Sequence, residues 1–288
     1  MPALNTIPLD KLARLIGTPK GPAIIDAQTD EDFAADPRLV PGAVRRSHTT
    51  VAQWAPEFQG RSAVVVCQKG LKLSQGVAAW LRHLGIPAEA LEGGALGWAA
   101  AGLPMVPEAK LPARDERGHT VWVTRARPKV DRIACPWLIR RFVDPNAVFL
   151  FVAPSEVQGV AERFGATPFD IEGEGVLWSH RGELCTFDVM VEEFGLGGLD
   201  PLQHLASIVR GADTARPDLV PEAAGLLAAS LGLSRMYDED LEQLEAGMLL
   251  YDAFYRWCRD ATDETHNWPA RPAGPSRTAR SRRAGASA

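Results

Sequence analysis

The sequence predicts an α/β protein in two parts. Strands alternate with helices in the first part, and the second part is a mainly helical α+β domain. The first part shows brief apolar runs bounded by glycine and proline, followed by segments with helical spacing. The second part has strong apolar strands only near its beginning, and helix-period patterns follow them. A chain of 288 residues accommodates about two ordinary domains.

The composition is that of a soluble globular protein and argues against several other classes. Apolar residues make up 46% of the chain and charged residues 23%. A net charge of −5 argues against a general nucleic-acid binder, and no apolar run is long enough for a membrane helix. The N-terminus lacks the pattern of a secretory signal, and four widely spaced cysteines do not suggest a disulfide framework. We therefore expect a cytoplasmic protein without a membrane or nucleic-acid partner.

Changes in composition divide the chain into four predicted segments. Residues 1–107 form a first domain, and residues 108–118, rich in proline and charge, form a linker. Residues 119–262 form the second domain. Residues 263–288 form a basic tail dominated by proline, glycine, serine and arginine, and we expect this tail to be disordered.

Cys67 has the most informative surroundings in the first domain. It ends the apolar run 63–67 and is followed by a glycine-containing loop that opens into a helix at about 75–84. A helix N-terminus and unpaired loop N–H groups favour negative charge, and Lys69 and Lys72 add positive charge. This pattern favours a reactive thiolate with room for an anion. The alternative is a small apolar cysteine buried at the end of a strand.

Further motifs on both sides of Cys67 resemble a rhodanese domain over residues 7–107. They are an aspartate after the first strand, a Pro-Gly-Ala turn, a Cys-x-x-Gly-x-Lys loop and a Gly-Gly-x-x-x-Trp segment. The resemblance implies a parallel sheet flanked by helices, Cys67 as a persulfide-forming sulfur acceptor, and loop amides that hold the sulfur or an oxyanion. The motif residues are Asp26, Pro41, Gly42, Ala43, Cys67, Gly70, Lys72, Gly93, Gly94 and Trp98, and the implied cradle is Gln68, Lys69, Gly70, Leu71, Lys72 and Leu73, with Asp26 in support.

Two departures from the rhodanese pattern bear on the chemistry. Leu73 precedes Ser74 at the end of the loop, so we expect a loop one residue longer than in many relatives. Phosphatase-like relatives carry arginine at the position of Leu73, which makes phosphate-ester chemistry unexpected here. The common Asp-x-Arg reads Asp26-Ala-Gln28 in this chain. Sulfur transfer from thiosulfate or another donor to a thiol acceptor remains the implied reaction, and it requires no cofactor.

The second domain is predicted to begin with strands and to end with helices. Ser155 is predicted as the N-cap of one helix, and a periodic stripe of large side chains predicts core packing for the last helix. The predicted strands are 120–124, 147–153 and 176–180, and the predicted helices are 131–142, 155–164, 185–194, 200–209, 221–231 and 238–258.

Two groups of side chains in the second domain suggest binding. The segment 125–141 contains six basic residues, and Arg132 and Arg140 are candidates for binding an oxyanion. The alternative is a solvated charged face with structural ion pairs. His180, Cys185 and His204 are candidate metal ligands, although their spacing matches no standard zinc signature. A hydrogen-bonded turn at 180–188 is the competing interpretation.

Longer stretches of the second domain resemble the C-terminal domain of the chromate-resistance protein B family over about residues 119–260. The resemblance implies a role in bacterial chromate tolerance, either as a chromate-responsive or as a chromate-handling protein. Some members are regulators with a DNA-binding N-terminal domain, and the rhodanese-like domain in that place argues against a repressor. The matching stretches are 122–125, 127–141, 167–170, 179–187, 208–214 and 251–258.

The combined prediction is a chromate-resistance protein with a sulfurtransferase domain and a second domain that binds an oxyanion or a metal ion. Chromate or a similar oxyanion is the predicted ligand of the second domain, with a possible metal ion there. The alternative is a non-catalytic chromate or metal sensor with a degenerate rhodanese module. The sequence alone leaves open which of the two is correct.

Overall fold

The computed structural model describes residues 5–173 and 175–264, and its first domain is built on a five-stranded parallel sheet. The strand order is β1-β6-β5-β2-β4, and every pair in this sheet is parallel. The predicted α/β class with helices flanking a parallel sheet is therefore confirmed. The strands are β1 (Thr6–Ile7), β2 (Ala23–Asp26), β3 (Arg38–Leu39), β4 (Ala43–Arg45), β5 (Ala63–Val66), β6 (Ala88–Leu91) and β7 (Val106–Pro107), of which β3 and β7 form a separate antiparallel pair.

The central strand β5 is apolar because both of its faces are covered. Val64 and Val66 enter one hydrophobic core, whereas Ala63 and Val65 enter the other. This alternation follows from the two-residue period of a strand, and burial on both faces is typical of parallel sheets. The helices of this domain are α1 (Leu9–Leu15), α2 (Asp30–Ala35), α3 (Val51–Trp54), α4 (Lys72–His83) and α5 (Gly94–Ala100), with a 3₁₀ helix at Ala55–Phe58.

The second domain has a three-stranded parallel sheet in the order β10-β8-β9, followed by a helical layer. Its strands are β8 (Val121–Arg125), β9 (Val148–Val152) and β10 (Thr167–Pro168), and its helices are α6 (Asp131–Phe142), α7 (Val157–Phe164), α8 (Thr186–Glu193), α9 (Asp200–Asp213), α10 (Glu222–Met236) and α11 (Asp240–Asp260).

Two local predictions for the second domain were wrong. Ser155 does not cap a helix, because it lies inside the 3₁₀ helix Pro154–Glu156 and α7 begins after it. The segment 176–180 is not a strand, since only one bridge, between Trp178 and Phe169, links it to the sheet. This bridge nevertheless matters, because it holds the chain on both sides of the 170–180 loop together.

The two domains share one hydrophobic core. Residues from both halves, such as Trp98 and Trp137, belong to the same buried cluster. At the contact, the Gly42 N–H donates to the Phe142 carbonyl over 2.6 Å. Gly17 lies against the Phe142 ring with φ of +76°, where an added Cβ would be 2.4 Å from ring atom Cζ. The domains therefore pack against each other through a shared core and are not joined by a linker alone.

The segment predicted as a linker is attached to the second domain by ion pairs. Lys110 in the 3₁₀ helix Glu108–Lys110 pairs with Glu193, and Arg114 approaches the buried carboxylate of Asp144. The predicted basic tail lies outside the described residues from 265 onward. Within the described ranges, no helix has both the length and the apolar character needed to cross a membrane.

Candidate functional site

Cys67 directly follows β5 and lies at the base of the loop that leads into α4. The residue is only 4% exposed, and its Sγ donates to the Ser74 Oγ over 3.1 Å. Asp26, at the end of the neighbouring strand, pairs in register with Val66. The carboxyl ends of parallel strands thus bring the predicted sulfur acceptor and the predicted supporting acid to the same edge of the sheet.

The loop after Cys67 is held by the turn that precedes α5. Ala95 and Leu96 donate their N–H groups to the carbonyls of Cys67 and Gln68, each over 3.0 Å. Gly94 makes this contact possible, since a Cβ there would be 2.1 Å from the Cys67 carbonyl oxygen. Gly70 has φ of +69°, a conformation that glycine adopts without strain. The turn of the Gly-Gly-x-x-x-Trp motif therefore holds the Cys67 loop through its carbonyl groups.

The loop after Cys67 carries unpaired backbone donors. Within the described residues, none of the N–H groups of residues 68–73 has a hydrogen-bond acceptor. Such a run of free N–H groups beside a helix N-terminus attracts an anion or a developing negative charge. All six predicted cradle residues lie in this run, and the side chain of Leu71 is exposed. The cradle itself stays a prediction.

Asp26 is buried and is satisfied locally. Its carboxylate accepts from the Gln28 backbone N–H over 3.0 Å and from the Gln28 Nε2 over 2.9 Å, and Arg45 approaches to 3.4 Å. Burial raises the pKa of Asp26, although these donors counteract the shift. Gln28 replaces the arginine of the usual rhodanese motif, and Arg45 from β4 supplies a guanidinium instead. One guanidinium therefore lies near Asp26, although it comes from another strand and not from the Asp-x-Arg position.

A second cluster lies at the carboxyl ends of β8 and β10. The chain runs from β8 to β9 on one side and then crosses to β10 on the other side of β8. Loops diverge at such a switch point, which is where ligands bind in open parallel sheets. Arg125 is the last residue of β8, and Asp170 follows β10 by two residues. The Arg125 Nη2 donates to the Asp170 carbonyl over 3.0 Å.

Asp131 is positioned by a strained turn at the start of α6. The preceding Val130 has φ of +37° and ψ of −98°, a backbone conformation that β-branched residues rarely adopt. Two side chains of α11 fix this turn: Tyr251 donates to the Val130 carbonyl over 3.0 Å, and Gln243 donates to the Pro128 carbonyl over 2.6 Å. Strain of this kind persists only where the surroundings impose it, and it is common at functional sites.

Three carboxylates surround one imidazole nitrogen. The Nε2 of His180 lies 3.1 Å from Asp213 Oδ2, 3.5 Å from Asp170 Oδ1 and 3.7 Å from Asp131 Oδ2. Asp170 and His180 meet because the Asp170 N–H donates to the Trp178 carbonyl over 2.9 Å, which closes the 170–180 loop. Asp213 arrives from the end of α9. Ligand atoms of Asp131, Asp170 and His180 all lie within 4.8 Å of one another, which suits a metal ion.

The charges of this cluster influence one another strongly. Burial, followed by the neighbouring Asp213 and Asp170, raises the pKa of Asp131 well above its ordinary value. For Asp170 burial also acts upward, but hydrogen bonds from His180 and Thr186 and two nearby guanidiniums hold its pKa below the usual range. Hydrogen bonds to Asp170 and Asp213 raise the pKa of His180 to about 10. A protonated imidazole therefore offsets these acids together with the guanidiniums of Arg125 and Arg132.

A cavity of about 460 Å³ opens beside this cluster. Arg125, Lys129 and Arg132 line one part of it, and the carboxylates of Asp170 and Asp213 line another. Arg125 Nη2 and Arg132 Nε both lie 3.3 Å from Asp170 Oδ2. The cavity thus presents basic groups next to acidic ones.

Of the residues predicted in the second domain, Arg132 and His180 lie in this cavity, whereas Arg140 does not. Arg140 pairs with Glu245 and lines a different cavity, of about 340 Å³, at the contact between the domains. Arg132 and Arg140 are eight residues apart on α6, which is about 12 Å along a helix axis. They therefore do not serve one small anion, and the prediction that paired them is corrected.

The structure does not bring the predicted metal ligands His180, Cys185 and His204 together. Cys185 is the buried N-cap residue of α8, and burial, then the charge of Asp131, raises the pKa of its thiol well above the ordinary value. A neutral thiol is a poor metal ligand. The His204 ring packs against Trp257 with ring centroids 5.3 Å apart. Only His180 of the three belongs to the group of ligand atoms around Asp131.

The three aspartates of the cluster were not predicted as ligands. Asp131, Asp170 and Asp213 are spread over more than 80 positions of the sequence, and each lies in a stretch already noted for its family resemblance. Their positions at the ends of elements could have indicated them. Asp170 comes just after a strand, and Asp131 and Asp213 lie at helix ends. Such positions gather at one edge of a parallel sheet.

Solved structures similar to this chain cover about a third of it. A thiosulfate sulfurtransferase from Pseudomonas aeruginosa is 28% identical, with 36% of this chain and 19% of that chain covered and a TM-score of 0.32. A rhodanese-related protein from Thermoplasma volcanium is 19% identical, covering 36% of this chain and 99% of that one, with a TM-score of 0.32. A rhodanese-like domain protein from Staphylococcus aureus is 28% identical, covering 33% and 90%, with a TM-score of 0.30.

The second half of the chain matches a different group of proteins. Residues 122–258 match the family described as ChrB, C-terminal domain. Protein ChrB of Cupriavidus metallidurans is 34% identical over 148 residues, which cover 50% of this chain. The match spans less than half of that relative, 43% of its length. The cluster around His180 lies within the matched range, and residues 122–258 of this chain are similar to the ChrB C-terminal domain.

Proposed function

We propose that this protein is a chromate-resistance protein that combines sulfur transfer at Cys67 with oxyanion binding in its ChrB-type domain. The observation that carries the first half is the run of unpaired N–H groups at residues 68–73, in the loop that directly follows Cys67. These donors are suited to holding the anionic oxygens of thiosulfate and the negative charge of a persulfide. Motif resemblance to rhodaneses supports the same reaction.

The proposed reaction has two steps and returns the enzyme to its starting state. The Cys67 thiolate attacks the outer sulfur of thiosulfate, a sulfur–sulfur bond forms on Cys67, and sulfite leaves with the electron pair of the broken bond. A thiol acceptor, or cyanide in the assay, then attacks the terminal sulfur of the persulfide and releases the Cys67 thiolate. The neutral thiol donates to Ser74 Oγ, whose own hydroxyl donates to the Leu71 carbonyl over 3.2 Å, and the thiol proton leaves to solvent when the thiolate forms. No cofactor takes part in either step.

The test of sulfur transfer is thiocyanate formation from thiosulfate and cyanide by the full chain. We expect turnover that Cys67→Ser abolishes. Cys258→Ser is the matched control, because Cys258 is a buried cysteine in α11, outside the proposed catalytic loop. Full turnover by Cys67→Ser would contradict the assignment of Cys67 as the sulfur acceptor. Loss of turnover in both variants would show that the substitutions act through folding.

For the second domain, the proposed ligand is chromate or a similar tetrahedral oxyanion. Arg125, Lys129 and Arg132 line the cavity, and planar guanidiniums bind oxyanions with two parallel hydrogen bonds. The Nε of Arg125 is buried without a hydrogen-bond partner among the described residues, and the Nε of Arg132 has no well-aligned acceptor beyond the Asp170 carboxylate at 3.3 Å. Buried donors without acceptors are costly, and a bound oxyanion would satisfy them.

Calorimetric titration with chromate tests this binding. We expect Arg132→Gln to weaken binding at least about tenfold, since one charge-assisted hydrogen bond contributes roughly 1.5–3 kcal/mol. Arg140→Gln is the control, because it removes the same charge from the same helix but from the other cavity. Equal weakening by both substitutions would mean that the ligand responds to net charge and not to this cavity.

One observation favours the second candidate, a binding protein with an inert first domain. Cys67 is only 4% exposed, and a buried cysteine is often a packing residue. In that case chromate binding would persist in Cys67→Ser, and the wild-type protein would form no thiocyanate. The two measurements therefore separate the candidates.

A further inference from the structure

The geometry around His180 points to a metal centre, and we propose that Asp131, Asp170 and His180 bind one divalent first-row transition-metal ion. Their ligand atoms lie within 4.8 Å of one another. Metal–ligand bonds of about 2.0–2.2 Å place two ligand atoms at most about 4.4 Å apart. The distances of 3.5 Å and 3.7 Å from the His180 Nε2 to the other two ligands already meet this limit.

Asp131 supplies an observation independent of the clustering. It is fully buried, and its Oδ1 has no hydrogen-bond partner among the described residues. Its Oδ2 accepts from the Phe187 N–H over 3.2 Å and faces His180. A buried carboxylate oxygen without a partner is unfavourable, and buried charges are normally paired or bound to metal. A cation in the cluster satisfies this carboxylate directly.

One imidazole cannot donate a hydrogen bond to all three of its acidic neighbours. The His180 Nε2 carries at most one hydrogen, yet carboxylate oxygens of three aspartates lie within 3.7 Å of it. A divalent ion instead binds several of these oxygens together with the imidazole nitrogen, which releases its proton to solvent when it becomes a ligand. Asp213, whose Oδ2 is 3.1 Å from the same nitrogen, is available as a fourth ligand or as an acceptor for bound water.

The neighbouring groups orient the proposed ligands in the way that metal sites require. Thr186 Oγ1 donates to Asp170 Oδ1 over 3.0 Å, and Arg125 Nη2 lies 3.3 Å from Asp170 Oδ2. Such outer contacts fix ligand geometry and tune the charge of the centre. Two carboxylates and one imidazole suit manganese, iron or zinc better than calcium or copper(I).

This inference rests on the cluster alone, and not on sulfur transfer or oxyanion binding. It also bears on the latter, because carboxylates by themselves oppose an incoming anion, whereas a divalent ion beside Arg125 and Arg132 attracts one. The metal test is therefore made without chromate or phosphate, so that its failure and that of anion binding are distinguishable.

The test is titration of the chelator-treated full chain with MnCl₂, followed by the paramagnetic resonance signal of free Mn²⁺. We expect saturable binding of one ion per chain, and competition by ZnCl₂. Asp131→Asn, Asp170→Asn and His180→Gln should each weaken binding about tenfold or more. Glu172→Gln, which removes an exposed acid from the same cavity, and His204→Gln should leave binding unchanged.

Folding is controlled within the same experiment. His180 is 42% exposed at its side chain, so His180→Gln removes a ligand with little effect on the core. Mn²⁺ should raise the melting temperature of the wild type and of Glu172→Gln but not of His180→Gln. No saturable binding of Mn²⁺ or Zn²⁺ by the wild type, or unchanged binding in all three ligand variants, would overturn the proposal.

Discussion

Asp131→Asn in the metal-free protein is expected to stabilise the fold at neutral and alkaline pH. Asp131 is fully buried, one of its oxygens lacks a partner, and two other aspartates lie nearby. An unsatisfied buried group costs about 1–3 kcal/mol, and more when it is charged. The amide has the same shape and no charge. We therefore expect the free energy of unfolding to rise by about 1–3 kcal/mol at pH 8.

The pH dependence follows from the raised pKa of Asp131. Because folding raises this pKa above 3.8, mainly through burial, ionisation of Asp131 destabilises the native state. The penalty is absent below pH 3.8, grows as the pH rises above that value, and is complete above the pKa of the folded state. The gain from Asp131→Asn should accordingly be largest at pH 8 and should shrink at pH 5.

Urea unfolding of chelator-treated protein at pH 5, 6.5 and 8 measures this gain. Asp252→Asn is the control of opposite sign, since the buried Asp252 accepts from the Trp137 Nε1 over 2.8 Å and pairs with Arg141 over 2.7 Å. Losing a buried, well-paired carboxylate should cost about 2–4 kcal/mol. If Asp131→Asn is as destabilising as Asp252→Asn at every pH, the carboxylate cluster is a structural network, and the reasoning fails.

Three further predictions concern other parts of the molecule. In the metal-free protein, NMR titration should show one histidine with a pKa of about 10, and this titration should be absent from His180→Gln. The stability that the protonated His180 contributes should be complete below pH 6.5 and lost as the pH rises through about 10. A histidine pKa near 6.5 would contradict the cluster geometry. Gly94→Ala should abolish sulfur transfer and lower the free energy of unfolding by more than about 1 kcal/mol. Gly76→Ala, with open space around it in α4, should instead raise the free energy of unfolding by about 0.5–1 kcal/mol. Equal effects would mean that the turn at Gly94 does not hold the Cys67 loop in place. Phe142→Ala should cost about 3–5 kcal/mol and lower a single melting transition for both domains, and two separate calorimetric transitions would argue against a shared core.

Local sequence patterns were sufficient for the elements that depend on nearby residues. The helix Asp131–Phe142 was predicted with its observed bounds, and Cys67 was placed correctly between β5 and α4. Both follow from apolar periodicity and from glycine at a tight turn, which are short-range properties. The Gly-Gly-x-x-x-Trp motif was noticed, but its contact with the Cys67 carbonyl depends on where α5 packs.

The second site could not be assembled from spacing alone. Asp131, Asp170, His180 and Asp213 meet only because the chain crosses β8 to reach β10 and then folds α9 back over α6. Helix geometry alone, however, places Arg132 and Arg140 too far apart to bind one small anion, and the prediction that paired them did not use this distance. Helix geometry also separates His204 from Asp213, since nine residues on α9 span about 13 Å.

The most direct test of the proposed function is the intact mass of the protein after incubation with thiosulfate. The wild type and Cys258→Ser should gain the mass of one sulfur atom, cyanide should remove it, and Cys67→Ser should gain nothing. No added sulfur on the wild type would contradict the central claim that the Cys67 loop forms a persulfide.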